Sequence, residues 1–474
     1  MEPIKTEIVV LGAGPGGYTA AFYAADRGKR VTLVEQNPRL GGICLNTGCI
    51  PSKALLHATA ILREADASRA RGISLGDAQI DVHKLRSWKD SILEKLGQGI
   101  KSLAQKRGVQ VLHGRGHFED SQTLRVETAK GQKFVNYEKA IIAVGSKPAM
   151  PSAFDLGNKR IMTSTEALEL QDIPTDLLVV GGGYIGMELG TVYAALGSQV
   201  VVLEALPSIL TGVDADLVRL VSRAAQKAFK EIRVNTKVLK MATAGKQIKV
   251  TMQIDNEQRE ELYDRVLVSV GRVPNYTDLG LENTGVTKDE KGFIKTNPQQ
   301  QTDDPNIYAI GDVNGGVLLA HRAAKEARVA VESVLGEPAV FENIVIPAVV
   351  YTDPEVAWCG LTETEAQEKG IEIKVAKFPW GASGRALTFD RTDGLTKFII
   401  EPETERILGV GIAGMGAGEL ISEGVLAVEM GATARDIAES VHPHPTLSET
   451  LMEAAEVFYG TATNTFTRKE FSRH

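Results

Sequence analysis

Cysteine is scarce in this chain: Cys44, Cys49 and Cys359 are the only three in 474 residues. That is too few to staple a secreted protein of this size, and it favours a reducing compartment, the cytoplasm. Basic runs are lacking too. Lys and Arg number 53 against 60 Asp and Glu, a net charge of −7, which disfavours nucleic acid and anionic membrane surfaces as partners. No uninterrupted apolar run could span a bilayer. Ile8–Ala25 is uncharged and long enough, but Gly12, Gly14, Pro15, Gly16 and Gly17 break it, and no positive stretch precedes it as in a signal peptide. The expectation is a protein without membrane span or cleaved leader. Hydrophobic residues at 43% and charged residues at 24% exclude a disordered chain, and the length suits about three domains.

Glycine, by contrast, is plentiful, with 47 residues and no Gly-X-Y period. Two clusters carry a pattern. Ile8-Val9-Val10-Leu11 runs into Gly12-Ala13-Gly14-Pro15-Gly16-Gly17, then a small-residue helix, then Val31-Thr32-Leu33-Val34 ending at Glu35. Leu177-Leu178-Val179-Val180 runs into Gly181-Gly182-Gly183-Tyr184-Ile185-Gly186, a helix, Val200-Val201-Val202-Leu203 and Glu204. First glycine and acid stand 23 residues apart in both. Each unit reads as a dinucleotide-binding βαβ. The first glycine makes the turn, the second lets backbone approach a pyrophosphate, the third lets helix pack on strand, and the acid takes a ribose hydroxyl. Two dinucleotides are implied. No Lys or Arg occurs from Ala205 to Val218, so a carboxylate at Glu204 would repel a 2′-phosphate and select NAD over NADP. Spacing alone does not identify the first dinucleotide. Ile307–Asp312 reads as a third short strand, with Asp312 either an ordinary turn residue or an acceptor for a cofactor sugar hydroxyl.

Cys44 and Cys49 lie in Gly41–Lys53, GGICLNTGCIPSK. Five residues along a regular helix separate Cα atoms by ~8.6 Å, and a disulfide needs less than about 7 Å. A bridge here therefore requires a distorted turn, for which Gly48 and Pro51 are suited. Two buried free thiols are the alternative. Lys53, four residues after Cys49, shares its face on a helix and would stabilise a thiolate there, or is simply solvated. Near the end, Thr446-Leu447-Ser448-Glu449 matches a capping box, and on that segment alone the cap is the better reading. The other reading makes His444 a base for a thiol proton and Glu449 the carboxylate that orients it. Cys359 reads as a small buried hydrophobe. His57, His83, His113 and His117 have no metal-ligand spacing, and no metal is assigned.

GGICLNTGCIPSK after GAGPGGY resembles the flavin-dependent pyridine nucleotide-disulfide oxidoreductases. GGGYIGMELG, SVGRVPN (Ser269–Asn275), YAIGD (Tyr308–Asp312), LAH (Leu319–His321) and HPHPTLSE extend the likeness over essentially the whole chain. The wording is similar to the branch that reoxidises dihydrolipoyl groups of 2-oxo acid dehydrogenase complexes. The resemblance implies an α/β fold with two Rossmann-like dinucleotide-binding domains and a C-terminal α+β dimerisation domain. The expected bounds are 1–147 for the first part of the FAD domain and 148–275 for the NAD domain. A returning FAD or central segment follows over 276–346, and the interface domain covers 347–474.

It further implies FAD on Gly12, Gly14, Gly17, Glu35, Lys53, Gly116, Ser146, Asp312 and Ala320. NAD is expected on Gly181, Gly183, Gly186, Glu204, Val238 and Gly271. Glu188 would pair with Lys53. Cys44 would be attacked by the dithiol, and Cys49 would be the thiolate beside the flavin. His444, rather than His442, would be the base, held by Glu449 and reaching the centre of the other subunit of a homodimer. The implied partners are lipoyl domains of the E2 component. Tyr184 would either cover the flavin or merely pack. Mercuric-reductase chemistry is disfavoured because no vicinal cysteine pair ends the chain. Glutathione-type reduction is disfavoured by Glu204, and transhydrogenation by the presence of both cysteines. A flavoprotein that senses NADH without dithiol turnover would need neither cysteine nor His444.

Overall fold

The near-continuous apolar runs of the two glycine units form strands buried on both faces, as parallel strands flanked by helices must be. In the computed structural model, which describes residues 2–466 apart from 256, 343 and 344, Ile4–Leu11 pairs in parallel with Val31–Glu35 and with Gly131–Ile142. Gln110–His113 adds to one edge, in parallel with Val31–Glu35. The antiparallel strands Thr123–Thr128 and Arg115–Phe118 extend the other side. A late strand, Ile307–Ala309, returns to pair in parallel with Gly131–Ile142. Residues about 165 positions apart thus complete one sheet, and Asp312 comes to its carboxyl end.

The second glycine unit builds its own parallel sheet, in the order Glu231–Arg233, Gln199–Leu203, Asp176–Val180, Arg265–Val268, Ile161–Met162. A three-stranded antiparallel sheet over 236–263 covers part of it. Between the two units run the short antiparallel strands Ser146–Pro148 and Arg272–Pro274, which carry the chain out and back. The last unit is an antiparallel sheet in the order Ala348–Val350, Glu355–Gly360, Ile407–Gly414, Leu395–Ile400, Lys374–Pro379. The helices Ala417–Glu429 and Glu449–Tyr459 contribute to its core. Among the described residues, no helix is long and apolar enough to cross a membrane.

Candidate active site

The two glycine turns separate what the fold needs from what a ligand needs. A Cβ on Gly12, whose φ is +94°, would meet the Ala143 carbonyl oxygen at 2.4 Å, and one on Gly17 would fall 1.8 Å from the Gly12 carbonyl oxygen. The second unit repeats this. A Cβ on Gly181 would lie 2.5 Å from the Ser269 carbonyl oxygen, and one on Gly186 would lie 2.2 Å from that of Gly181. The middle glycines differ. A Cβ on Gly14 would find nothing nearer than 3.8 Å, and one on Gly183 nothing within 4 Å. Both have extended backbone that any residue adopts. Nothing in the protein itself requires glycine there, whereas a pyrophosphate against the helix N-terminus does.

The acids at the strand ends are held alike. Glu35 accepts from the Ala13 and Asn37 N–H groups, each at 2.8 Å. Glu204 accepts from Gly182 at 2.7 Å and Leu206 at 2.8 Å. Both carboxylates are fixed at the lip of their glycine turn, and each keeps acceptor capacity for a sugar hydroxyl.

A cleft of about 750 Å³ runs from the first turn to the cysteines. Gly12, Gly14, Glu35, Lys53, Gly116, Ser146, Asp312 and Ala320 all line it. Gly17 sits behind it, in the packing of helix on strand. Ala320 opens a 15-residue helix whose first turn faces the cleft. Ser146 donates to Asp312, and Arg272 donates to the Ser146 hydroxyl at 2.7 Å and carbonyl at 2.9 Å. An elongated, mostly apolar cleft with a glycine turn, a strand-end acid and a helix N-terminus along it suits a dinucleotide with a flat ring. Of the residues expected at the second site, Gly181, Gly183, Gly186, Glu204 and Gly271 cluster at the carboxyl ends of its strands. The Val238 side chain is buried in the core of that unit, so a ligand would meet only its backbone.

The cysteines lie where one helix stops and another starts. Gly42–Thr47 and Cys49–Ala67 are separate helices joined at Gly48, whose φ of −145° and ψ of −113° interrupt the winding. A Cβ on Gly48 would sit 2.9 Å from the Ile43 carbonyl oxygen and 3.3 Å from the Cys44 Cα, so only glycine allows this close turn. Pro51 occupies the first turn of the second helix, where a missing N–H costs nothing. The distorted turn that a bridge would require is therefore present, and both thiols line the cleft. The Cys44 thiol donates to the Cys49 sulfur. That bond, helped by the Lys53 ammonium, outweighs burial and brings Cys49 down to about 7, while the same bond and burial push Cys44 up.

Lys53 does share the Cys49 face, and it is not free in solvent. Its ammonium meets Glu188 at 2.7 Å. Glu188, only 3% exposed, also accepts from the Ser52 hydroxyl at 2.8 Å and the Tyr351 N–H at 3.0 Å. This contact joins the helix of the cysteines, the helix of the second glycine turn and the last unit. Ser52, Arg272 and Tyr351 are site residues that sequence reasoning missed.

His444 and Glu449 are paired at 2.8 Å, the imidazole 80% exposed. Burial would raise the Glu449 carboxyl, but the Thr446 N–H at 2.7 Å and the imidazole hold it below its usual value. The capping-box reading needs correcting. The Thr446 hydroxyl bonds the Pro443 carbonyl and the Ser448 hydroxyl, and the helix begins at Glu449 itself, so only the carboxylate half of the box exists. His442 is sorted from His444 by its partners. It is nearly buried, tied to Glu423 at 2.8 Å and to the Ser440 carbonyl. Among the described residues, those lining the cleft do not include His444 of the same chain.

Elsewhere, Cys359 is buried in the last sheet, and burial pushes its thiol up to about 12. Asp214, Asp216 and Glu363 converge as a metal site would. Lys397, wholly buried, stands among them at 2.6, 2.9 and 2.6 Å, with Lys377 beside Asp216 and Glu363.

Comparison with known proteins agrees with this geometry. Residues 6–327 match the model of the pyridine nucleotide-disulphide oxidoreductases, and residues 346–455 match the dimerisation domain of the same family. A dihydrolipoyl dehydrogenase of Vibrio parahaemolyticus is 44% identical over 464 residues, 98% of either chain. One of Bacillus subtilis is 44% identical over 459 residues, 97% of either chain. Among solved structures, the HOCl-induced flavoprotein disulfide reductase RclA of Escherichia coli superposes with a TM-score of 0.85 at 27% identity, over 95% of this chain and 99% of that one. With both of its matched regions in one architecture and its paired thiols at the cleft, the chain belongs to the pyridine nucleotide-disulphide oxidoreductases.

Proposed function

We propose that this protein oxidises dihydrolipoyl groups to their cyclic disulfide through the Cys44–Cys49 couple and passes the electrons to NAD⁺. The observation that carries the reading is the thiol pair at a helix break in the cleft, with a cation four residues on. Gly12, Gly14, Gly17, Glu35, Gly116, Ser146, Asp312 and Ala320 would hold FAD along the cleft, with Lys53 beside it. Gly181, Gly183, Gly186, Glu204, Gly271 and the Val238 backbone would hold NAD. Bound FAD supplies the two-electron chemistry between dithiol and nicotinamide.

The chain's own residues handle thiols and protons. In the oxidised enzyme Cys44 and Cys49 form a disulfide. His444 of the partner subunit accepts a proton from the substrate dithiol, because only the thiolate attacks. The thiolate bonds the Cys44 sulfur, the Cys44–Cys49 bond breaks, and Cys49 leaves as a thiolate stabilised by Lys53. The second substrate thiol attacks its partner sulfur in the mixed disulfide. The lipoyl ring closes and Cys44 leaves with the imidazolium proton, while the second thiol's proton passes to the freed imidazole and on to solvent. Glu449 orients the imidazole and supports its charge. The exposed position of His444, outside its own chain's cleft, supports a centre shared across a homodimer. Lipoyl domains of an E2 component are the substrates' carriers in this reading, and the cytoplasm is its compartment.

Steady-state NAD⁺ reduction tests it. Turnover with dihydrolipoamide is expected, with little from glutathione and little with NADP⁺. Equal rates with glutathione would reject the substrate class.

A further inference from the structure

Tyr351 meets the Lys53–Glu188 pair twice. Its backbone N–H donates to Glu188 Oε1 at 3.0 Å, and its ring lies 4.4 Å below the Lys53 ammonium. The other Glu188 oxygen already serves Lys53 and Ser52, so this N–H completes the carboxylate. The ammonium is left with a carboxylate on one side and an aromatic face on another. An isolated Lys–Glu pair of which the lysine is one-third exposed would sample many rotamers. A cation over a π face loses that freedom at a gain.

We propose that Tyr351 is a positioning residue of the redox centre, holding the Lys53 ammonium beside Cys49 and tying the dimerisation domain to the thiol chemistry. Tyr351 immediately follows the Ala348–Val350 strand, the edge of the last sheet, so it belongs to the unit that carries His444. Groups that bear on the Cys49 charge come from several elements. Cys44 donates to its sulfur, Lys53 attracts the thiolate, and Glu188 opposes it. Tyr18, Tyr184 and Tyr351 feel the same charge from the remaining walls. Of these, only Lys53 is a cation, so its placement matters most. Among the described residues the Tyr351 phenol oxygen makes no hydrogen bond, which leaves the ring face as the side chain's contribution.

The inference rests on the reading of Cys49 as the flavin-side thiolate, and the test separates the two. The holoenzyme carrying Cys44→Ser is titrated with alkali, and the long-wavelength band of a thiolate against oxidised flavin is followed. The same titration is made with Tyr351→Leu and Tyr351→Phe added. Tyr351→Leu is expected to move the midpoint up by about half a pH unit, the loss of one partly exposed cation–π contact. Tyr351→Phe keeps the ring and should leave the midpoint in place. Where leucine disturbs folding, Tyr351→Met fills similar volume without a π face and makes the same comparison. A midpoint unmoved by both Leu and Met, or moved equally by Phe, overturns the proposal. Absence of any band in the parent overturns instead the assignment of Cys49.

Discussion

Replacing His444 by glutamine separates catalysis from helix capping. Within its own chain the imidazole is 80% exposed and, among the described residues, bonds Glu449 alone, so its loss opens no cavity and should leave folding, FAD content and dimerisation unchanged. Glutamine can still bond the carboxylate but cannot take a proton. The expected loss in dihydrolipoamide-driven NAD⁺ reduction is roughly 10²–10⁴-fold, or about 3–5 kcal/mol of barrier. Flavin reduction by NADH in stopped flow should survive, since it needs no thiol base. Thr446→Ala is the control. It removes the hydroxyl bonds to Pro443 and Ser448, worth about 1 kcal/mol, with turnover kept. Subunit mixing sharpens the assay. Cys49→Ser and His444→Gln chains are each inactive as homodimers. A hybrid pairs the intact cysteines of one chain with the intact histidine of the other. Half the dimers of an equal mixture are hybrids with one live centre, so about a quarter of wild-type activity should return. Wild-type turnover by His444→Gln would refute the base, and a mixture no more active than its parents would refute the shared centre.

Cys44→Ser should show the thiolate–flavin band without reductant, growing as pH rises and the Cys49 thiol ionises beside Lys53; Cys49→Ser should show none at any pH. Glu204 should make kcat/KM for NADH well above that for NADPH, and Glu204→Ala combined with Arg at a neighbouring position should narrow the gap. Gly183→Ala finds open space and should leave thermal stability within about 0.5 kcal/mol while raising the KM for NADH at least about tenfold. Gly186→Ala meets the Gly181 carbonyl and should instead fail to fold well.

The two dinucleotide units were legible in the sequence because much of their constraint is local. Gly17 and Gly186 are required by the carbonyl of the first glycine of their own turn, and the acids close the same loop, although Gly12 and Gly181 also face the carbonyls of Ala143 and Ser269, far along the chain. The helix break at Gly48 was legible for a similar reason, since five residues cannot be both helical and disulfide-close. The Lys53–Glu188 pair came from resemblance, as 135 residues separate the two. Tyr351 carried no signal and Arg272 stood only as an unassigned member of SVGRVPN, because their roles depend on how separate units dock. Lys397 was hidden differently. In Leu395–Ile400 a lysine reads as the solvated face of a strand, yet carboxylates from distant helices neutralise it in the core. The capping box misled because its four-residue pattern is shared by a carboxylate recruited for His444.

Entry of electrons through Cys44 and Cys49 is the central step of the proposed reaction, and thiol counting measures it directly. Oxidised enzyme is mixed anaerobically with one equivalent of dihydrolipoamide, quenched in acid denaturant and alkylated, and the cysteine peptides are quantified by mass. With NAD⁺ withheld, Cys44 and Cys49 should go from unlabelled to labelled while Cys359 stays as it was. Identical labelling of Cys44 and Cys49 before and after the dithiol would contradict it.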